Sequence, residues 1–173
     1  MVRGVRAAEW GDVKRLRLDA LRDPVAHLAF LETYEDAAAR PDSFWQERAA
    51  GKPGVRQFVA EVPGGEWAGS VTVLLEEAGS QDWAGYAVER SQAHVVGVFV
   101  RPGHRGNGLI QELLDAGVAW AWAQGAERVR LFVHAENPRA QGAYLRAGFK
   151  PTGLVVSFSE DEDEREREFV LDR

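Results

Sequence analysis

Residues 94–114, HVVGVFVRPGHRGNGLIQELL, pass from a β-branched run through Gly103, Gly106 and Gly108 into a helical apolar pattern. A strand, a glycine-rich turn and a helix in that order make an anion site by geometry. The first N–H groups of the helix are unpaired, the helix dipole adds partial positive charge, and glycine lets the backbone approach an anion closely. Arg105 adds a full charge beside them. Two phosphate loops are excluded by single positions. A dinucleotide fingerprint starting at Gly106 requires glycine or alanine where Gln111 stands, and a P-loop starting at Gly103 requires lysine where Leu109 stands. A plain turn at Asn107-Gly108 would account for the glycines equally well.

Outward from this stretch the periodicity alternates. Towards the N-terminus, VRGVRAA (2–8) reads as a short strand, residues 9–22 as an amphipathic helix ending before Pro24, and residues 27–39 as a second helix. In PDSFWQERAA (41–50), Ser43 followed by Gln46 predicts a capping box opening a third helix. VRQFVAEV (55–62) and EWAGSVTVLLEE (66–77) flank Pro63, Gly64 and Gly65 as a hairpin, and residues 78–92 have no clean period and read as a loop. A strand over 93–100, a helix over 107–124 ending at Gly125, and the strand VRLFVHAE (129–136) follow. Asn137 caps the next helix, Pro138 suits its first turn and Gly148 follows its last; KPTGLVVSFS (150–159) and REREFVLD (165–172) form a closing hairpin around the acidic run 160–164. The alternation predicts an α/β or α+β domain with a mixed sheet.

At 173 residues the expectation is one domain over residues 1–173. No apolar run is long enough to cross a bilayer, and MVRGVRAAEWGDVKRL (1–16) lacks the apolar core of a signal peptide. The chain has no cysteine, so disulfides, thiolate metal sites and a cysteine nucleophile are excluded; the reading is cytoplasmic, without membrane partners. A formal charge of −6 argues against nucleic-acid binding and favours cationic partners.

The stretches VFVRPGHRGNGLIQELL (98–114) and NPRAQGAYLRAGF (137–149) resemble the GNAT superfamily of acyl-CoA-dependent N-acyltransferases, and PDSFWQERAA and AWAQGAERVRLFV (121–133) look like segments of the same family. Residues 105–110 match its pyrophosphate loop R-x-x-G-x-G/A at Arg105 and Gly108, and depart from it at Ile110. The resemblance implies a mixed, mostly antiparallel central sheet flanked by helices, with a splayed V between two central parallel strands. It implies acetyl-CoA as co-substrate, no metal, transfer to a primary amine and a possible homodimer. A non-catalytic acyl-CoA-binding module is the alternative.

By the same resemblance, Arg105, Gly106, Asn107, Gly108, Leu109 and Ile110 hold the pyrophosphate, and main-chain N–H groups of the strand at Val98, Phe99 and Val100 meet the thioester oxygen and pantetheine amides. Asn137 contacts the pantetheine arm, and Tyr144 stands at the sulfur as general acid. The reference pKa of tyrosine, about 10, is close to that of a leaving alkyl thiolate. As plain structure, Asn137 is a cap and Tyr144 part of an apolar helical stripe with Ala140, Ala143 and Ala147. His94 is the candidate base, with Glu61 or water as alternatives; as plain structure it is a solvated or hydrogen-bonded strand-end histidine. SEDEDERERE (159–168) is a solvated hairpin tip or, by resemblance, an acidic flank of the acceptor cleft that attracts a cationic small-molecule or peptide amine. Trp83 and Tyr86 are packing residues or an aromatic wall for that cation.

Overall fold

The computed structural model describes residues 1–82, 84–160 and 164–173. Seven strands form one sheet in the order β1-β2-β3-β4-β5-β7-β6: β1 Val2–Gly4, β2 Val55–Glu61, β3 Trp67–Glu76, β4 Gln92–Val100, β5 Arg128–His134, β6 Lys150–Ser157 and β7 Arg165–Asp172. Every neighbouring pair is antiparallel except β4 with β5. The mixed, mostly antiparallel sheet flanked by helices is therefore present.

Each sheet face has its own core. Helices α1 (Trp10–Leu21), α2 (Tyr34–Ala38) and α3 (Asp42–Ala50) cover one face, where Val13, Leu16 and Trp45 pack on Val59, Trp67 and Phe99. On the opposite face, α4 (Leu109–Ala123) and α5 (Pro138–Arg146) bring Leu113, Leu114 and Tyr144 against Val71, Val95, Leu131 and Phe169. Helix α4 lies close to β3 at Gly117, where a Cβ would come within 2.9 Å of Val73 Cγ2.

Four sequence expectations are corrected. The first strand stops at Gly4, because residues 7–9 turn into a 3₁₀ segment in which Glu9 accepts from the Arg6 N–H. Residues 27–39 do not form one helix. A 3₁₀ turn at Ala26–Leu28 is followed by α2, which starts afresh because the Thr33 hydroxyl accepts from the Asp36 N–H. Helix α3 starts at Asp42 with Pro41 as its cap, so Ser43 lies inside the first turn and the capping box does not form. Helix α4 starts at Leu109 rather than 107, since Gly108 has φ 88° and cannot join a right-handed helix. The 63–65 hairpin, the Asn137 cap and the closing hairpin form as predicted.

Strands β3 and β4 approach closely where Gly69 pairs with Val100. A Cβ at Gly69 would stand 2.5 Å from the Phe99 carbonyl oxygen and 3.2 Å from Val100 Cα. Backbone must shift to admit it, so Gly69→Ala is expected to cost about 1–3 kcal/mol. Thermal and urea unfolding measure this, and an unchanged midpoint would show that the strands have room to part.

Candidate active site

The parallel pairing of β4 with β5 is short. It spans Gln92–His94 opposite Arg128–Arg130, and β4 then runs on for six residues without a β5 partner among the described residues. On its other edge β4 stays paired with β3, but the register shifts between Val96↔Thr72 and Phe99↔Ser70. Gly97, at φ 62°, lies in this bulge. The bulge bends β4 away from β5 and the two strands form the arms of a V. A cavity of about 980 Å³ occupies the opening and reaches both faces of the sheet. Its wall includes Val98, Phe99 and Val100 from one arm, Phe132 and Val133 from the other, and His94 near the closed end.

The glycine segment forms one lip of the cavity. After the 3₁₀ turn Pro102–His104, Gly106 and Gly108 have φ of 80° and 88°, and a methyl built on either would meet no atom within 4 Å. These glycines thus serve a left-handed backbone next to open space, from which the 15-residue α4 starts. Leu109 and Ile110, from its first turn, also line the cavity, while Asn107 is exposed. Arg105 points inward: its Nε donates to the Val100 carbonyl at 2.8 Å and its Nη2 to Asp23 Oδ2 at 2.5 Å. Its guanidinium braces the glycine loop against the end of β4 and the chain following α1.

Helix α5 supplies the opposite wall. Asn137 Oδ1 accepts from the Ala140 N–H at 3.2 Å, fixing where the helix begins. Tyr144, two turns on, is 6% exposed, with its ring 6.3 Å from Phe149 and 6.5 Å from Phe169. Burial first, then the nearby Glu166 carboxylate, raises the Tyr144 hydroxyl above its ordinary value. It therefore carries its proton across the physiological range.

His94 is 2% exposed, so it is not a solvated strand end. Its Nδ1 is 3.7 Å from Glu76 Oε2, and its ring meets Phe132 edge-on at 5.5 Å. Glu76 belongs to a buried polar cluster. Arg130 donates to it from Nε at 3.0 Å and Nη2 at 3.1 Å, and also binds Asp82 and Glu168. Burial alone would raise the Glu76 carboxyl, but His94 beside it and the hydrogen bonds from Arg130 hold it at about 2. Asp82 further accepts from the Ala84 and Tyr86 N–H groups, fastening the 78–92 loop to the sheet.

Sequence reasoning missed Glu166. It lies within SEDEDERERE, yet it sits on β7 opposite His134 and Val156 and lines the cavity. The two-residue strand period was the available signal, since it puts Glu166 and Glu168 on one face and Arg165 and Arg167 on the other. Glu61 lies elsewhere, at the sheet edge, bound by Arg3 Nε at 2.8 Å and outside the cavity wall. Tyr86 is exposed and does not line the cavity. Trp83 and residues 161–163 of the acidic run lie outside the described residues.

The model of the acetyltransferase (GNAT) family matches residues 14–149. A mycothiol acetyltransferase from Propionibacterium freudenreichii is 30% identical over 158 residues, covering 83% of this chain and 46% of that protein. The chain spans less than half the length of the curated mycothiol acetyltransferases it matches. Among solved structures, Arabidopsis thaliana NAA60 in complex with acetyl-CoA aligns with a TM-score of 0.74 at 18% identity, covering 99% of this chain and 97% of that one. The GNAT domain of S. lividans PAT aligns with a TM-score of 0.72 at 19% identity, covering 99% and 89% respectively.

Burial, with repulsion from Glu164 second, raises the Glu166 carboxyl from 4.5 to about 7. The folded protein thus holds this proton more tightly than the unfolded chain does. The contribution to stability is complete below pH 4.5 and is lost as pH rises to about 7. Allowing for partial exposure, Glu166→Gln should remove about 1–2 kcal/mol of this decline. Urea unfolding of both proteins between pH 5 and 7.5 measures it, and parallel pH profiles would mean that Glu166 is fully solvated.

Proposed function

This chain belongs to the GNAT family of acetyltransferases, and from that premise we propose that it transfers the acetyl group of acetyl-CoA to a primary amine by direct attack in a ternary complex. The observation that carries this reading is the unpaired edge of β4 beyond His94, opening into a cavity that it shares with buried, protonated Tyr144. The fit to acetyl-CoA rests on three features: main-chain groups of β4 without strand partners, left-handed glycines beside open space at the start of α4, and a proton donor against the gap.

Each group has a task on this reading. The glycine lip and the first N–H groups of α4 hold the pyrophosphate, with Arg105 keeping the lip in shape. Residues 98–100 extend main-chain hydrogen bonds to the pantetheine arm and to the oxygen that gains charge as the amine attacks the carbonyl carbon. His94 or Glu166, directly or through water, accepts the proton that the ammonium must lose before attack. As the C–N bond forms and the C–S bond breaks, Tyr144 hands its proton to the thiolate sulfur, and the second proton shed by the attacking nitrogen returns through water to the tyrosinate. Burial suits it to this role: it disfavours a standing tyrosinate and leaves the proton in place until the thiolate develops. The relatives named mycothiol acetyltransferase favour a small-molecule acceptor. A non-catalytic acyl-CoA-binding module would have no use for a proton donor there.

The test is thiol release from acetyl-CoA across an amine panel, followed by single-turnover kinetics of Tyr144→Phe on the best acceptor. Removing only the hydroxyl leaves the ring packed on Phe149 and Phe169, so folding and CoA affinity should change little. The chemical step should slow by about 10² to 10⁴, or roughly 3–5 kcal/mol. If the wild type acetylates an amine and the phenylalanine variant matches its single-turnover rate, Tyr144 serves packing and the proposed acid step is wrong.

A further inference from the structure

The α1–α3 side of the cavity contains an imbalance of charge that neither the fold nor the transfer step uses. Arg17 from α1 and Arg48 from α3 both line the cavity wall. Glu32 is the carboxylate that serves this corner, and it is already shared. It accepts from Arg17 Nη2 at 3.1 Å and from Arg40 Nε at 2.7 Å, while Arg17 also lies 4.3 Å from the centre of the Phe30 ring. The Arg48 guanidinium has no hydrogen bond or ion pair among the described residues. Three guanidinium groups therefore surround one carboxylate, in a chain whose overall charge is −6. Burial lowers the Arg48 guanidinium below its ordinary value, and repulsion from Arg17 lowers it further.

An arrangement of this kind costs stability. A half-buried cation without a partner loses hydration and gains no hydrogen bonds in return, and an apolar side chain would pack the same place more favourably. The two arginines share a small secondary cavity in which the side chains of Gln57, Ser70 and Thr72 offer hydrogen bonds beside apolar Val13, Leu16, Phe30 and Phe99. A forked guanidinium with free donors on a cavity wall matches a group bearing anionic oxygens. Glu166, His94 and Tyr144 line other parts of the same cavity, where an ammonium would lose its proton and react.

We propose that Arg48, assisted by Arg17, binds an anionic group of the acceptor, so that the substrate carries both a reactive amine and a carboxylate or phosphate. The inference rests on the acetyl-transfer reading above and narrows its substrate class. Attraction to the overall acidic protein favours cations in general; the arginine corner selects, among amines, those with a negative group at the far end. The tryptophan-containing motif FWQER of α3 then has a purpose. Fully buried Trp45 anchors the helix in the core, and Arg48, three residues on, is held over the cavity.

The experiment uses three matched series of acceptors: ω-amino carboxylates from glycine to 6-aminohexanoate, their primary amides, and the corresponding aminoalkyl phosphates. With acetyl-CoA saturating, at least one chain length of an anionic series should exceed its amide by about tenfold in kcat/KM, and the series giving the larger ratio identifies the anion. In Arg48→Ala that ratio should collapse towards unity, and Arg48→Lys should restore part of it. Thermal melts confirm that both variants fold. Amides used as well as the anionic compounds at every length, or an Arg48→Ala loss equal for both series, would overturn the proposal. If no amine releases thiol, the transfer reading itself fails. The N-acetylated compounds, titrated into the CoA-loaded protein by tryptophan fluorescence, then test the anion site alone. Carboxylates or phosphates that bind while amides do not, with the difference lost in Arg48→Ala, would sustain it, and equal binding would reject it.

Discussion

Backbone N–H and C=O groups inside a protein are obligatory hydrogen-bonding groups, and a strand in the middle of a sheet normally satisfies them on both edges. Beyond His94, β4 does so on one edge only among the described residues. Pairing with β5 stops at His94, and residues 95–100 turn that edge towards a cavity instead of a neighbour. Each group left without a protein partner costs free energy unless water or a ligand meets it. The open seam between β4 and β5 is thus the constraint on which the other features depend. The bulge at Gly97 bends one arm outward, and the pairing of β5 with β7 keeps the other arm in place.

What keeps the seam from zipping shut is found on both faces of the sheet. On one, α5 brings Tyr144 with Phe149 and Phe169 into the α4–α5 core, so this cluster of edge-on and tilted rings occupies the ground beside the gap. On the other, Arg130 gathers Glu76, Asp82 and Glu168, and through Glu76 the closed end of the V is tied to His94. A buried cluster of this kind adds little net stability over an apolar core, because desolvation offsets most of the attraction. It does impose geometry: the arginine fork accepts few arrangements of its carboxylates, so the positions of β3, β4, β5, β7 and the 78–92 loop are fixed relative to one another. The rigid end lies next to the mobile demands of chemistry, where a proton is to be received by His94 or Glu166 and another given by Tyr144.

Local rules decided how much could be read before the fold was known. The Asn137-Pro138 start of α5 was legible because capping depends on a few adjacent residues, whereas apolar periodicity carried α4 two residues too far, through Asn107 and the left-handed Gly108. The role of Arg105 was only half legible. Its proximity to the loop followed from its position, but its bond to Asp23 depends on where α1 ends, 82 residues away. Glu166 was hidden by its company: among so many acidic residues it looked like a solvated tip, and only strand period and burial single it out. Arg130 and its carboxylates are separated by 38 to 54 residues, so no short pattern could have announced them. The break of the predicted 27–39 helix reflects a local competition in which the Thr33 cap prevailed over apolar periodicity.

The central claim is that the unpaired edge of β4 and the glycine lip form the acetyl-CoA site, and amide hydrogen exchange addresses both segments at once. In the free protein, amides of residues 95–100 that face the cavity, and those of residues 106–110 at the start of α4, should exchange faster than the paired amides of β3. Saturating acetyl-CoA should slow exchange in these two segments while leaving the outer strands β1 and β6 unchanged. Exchange in residues 95–100 and 106–110 that is indifferent to acetyl-CoA would contradict the account.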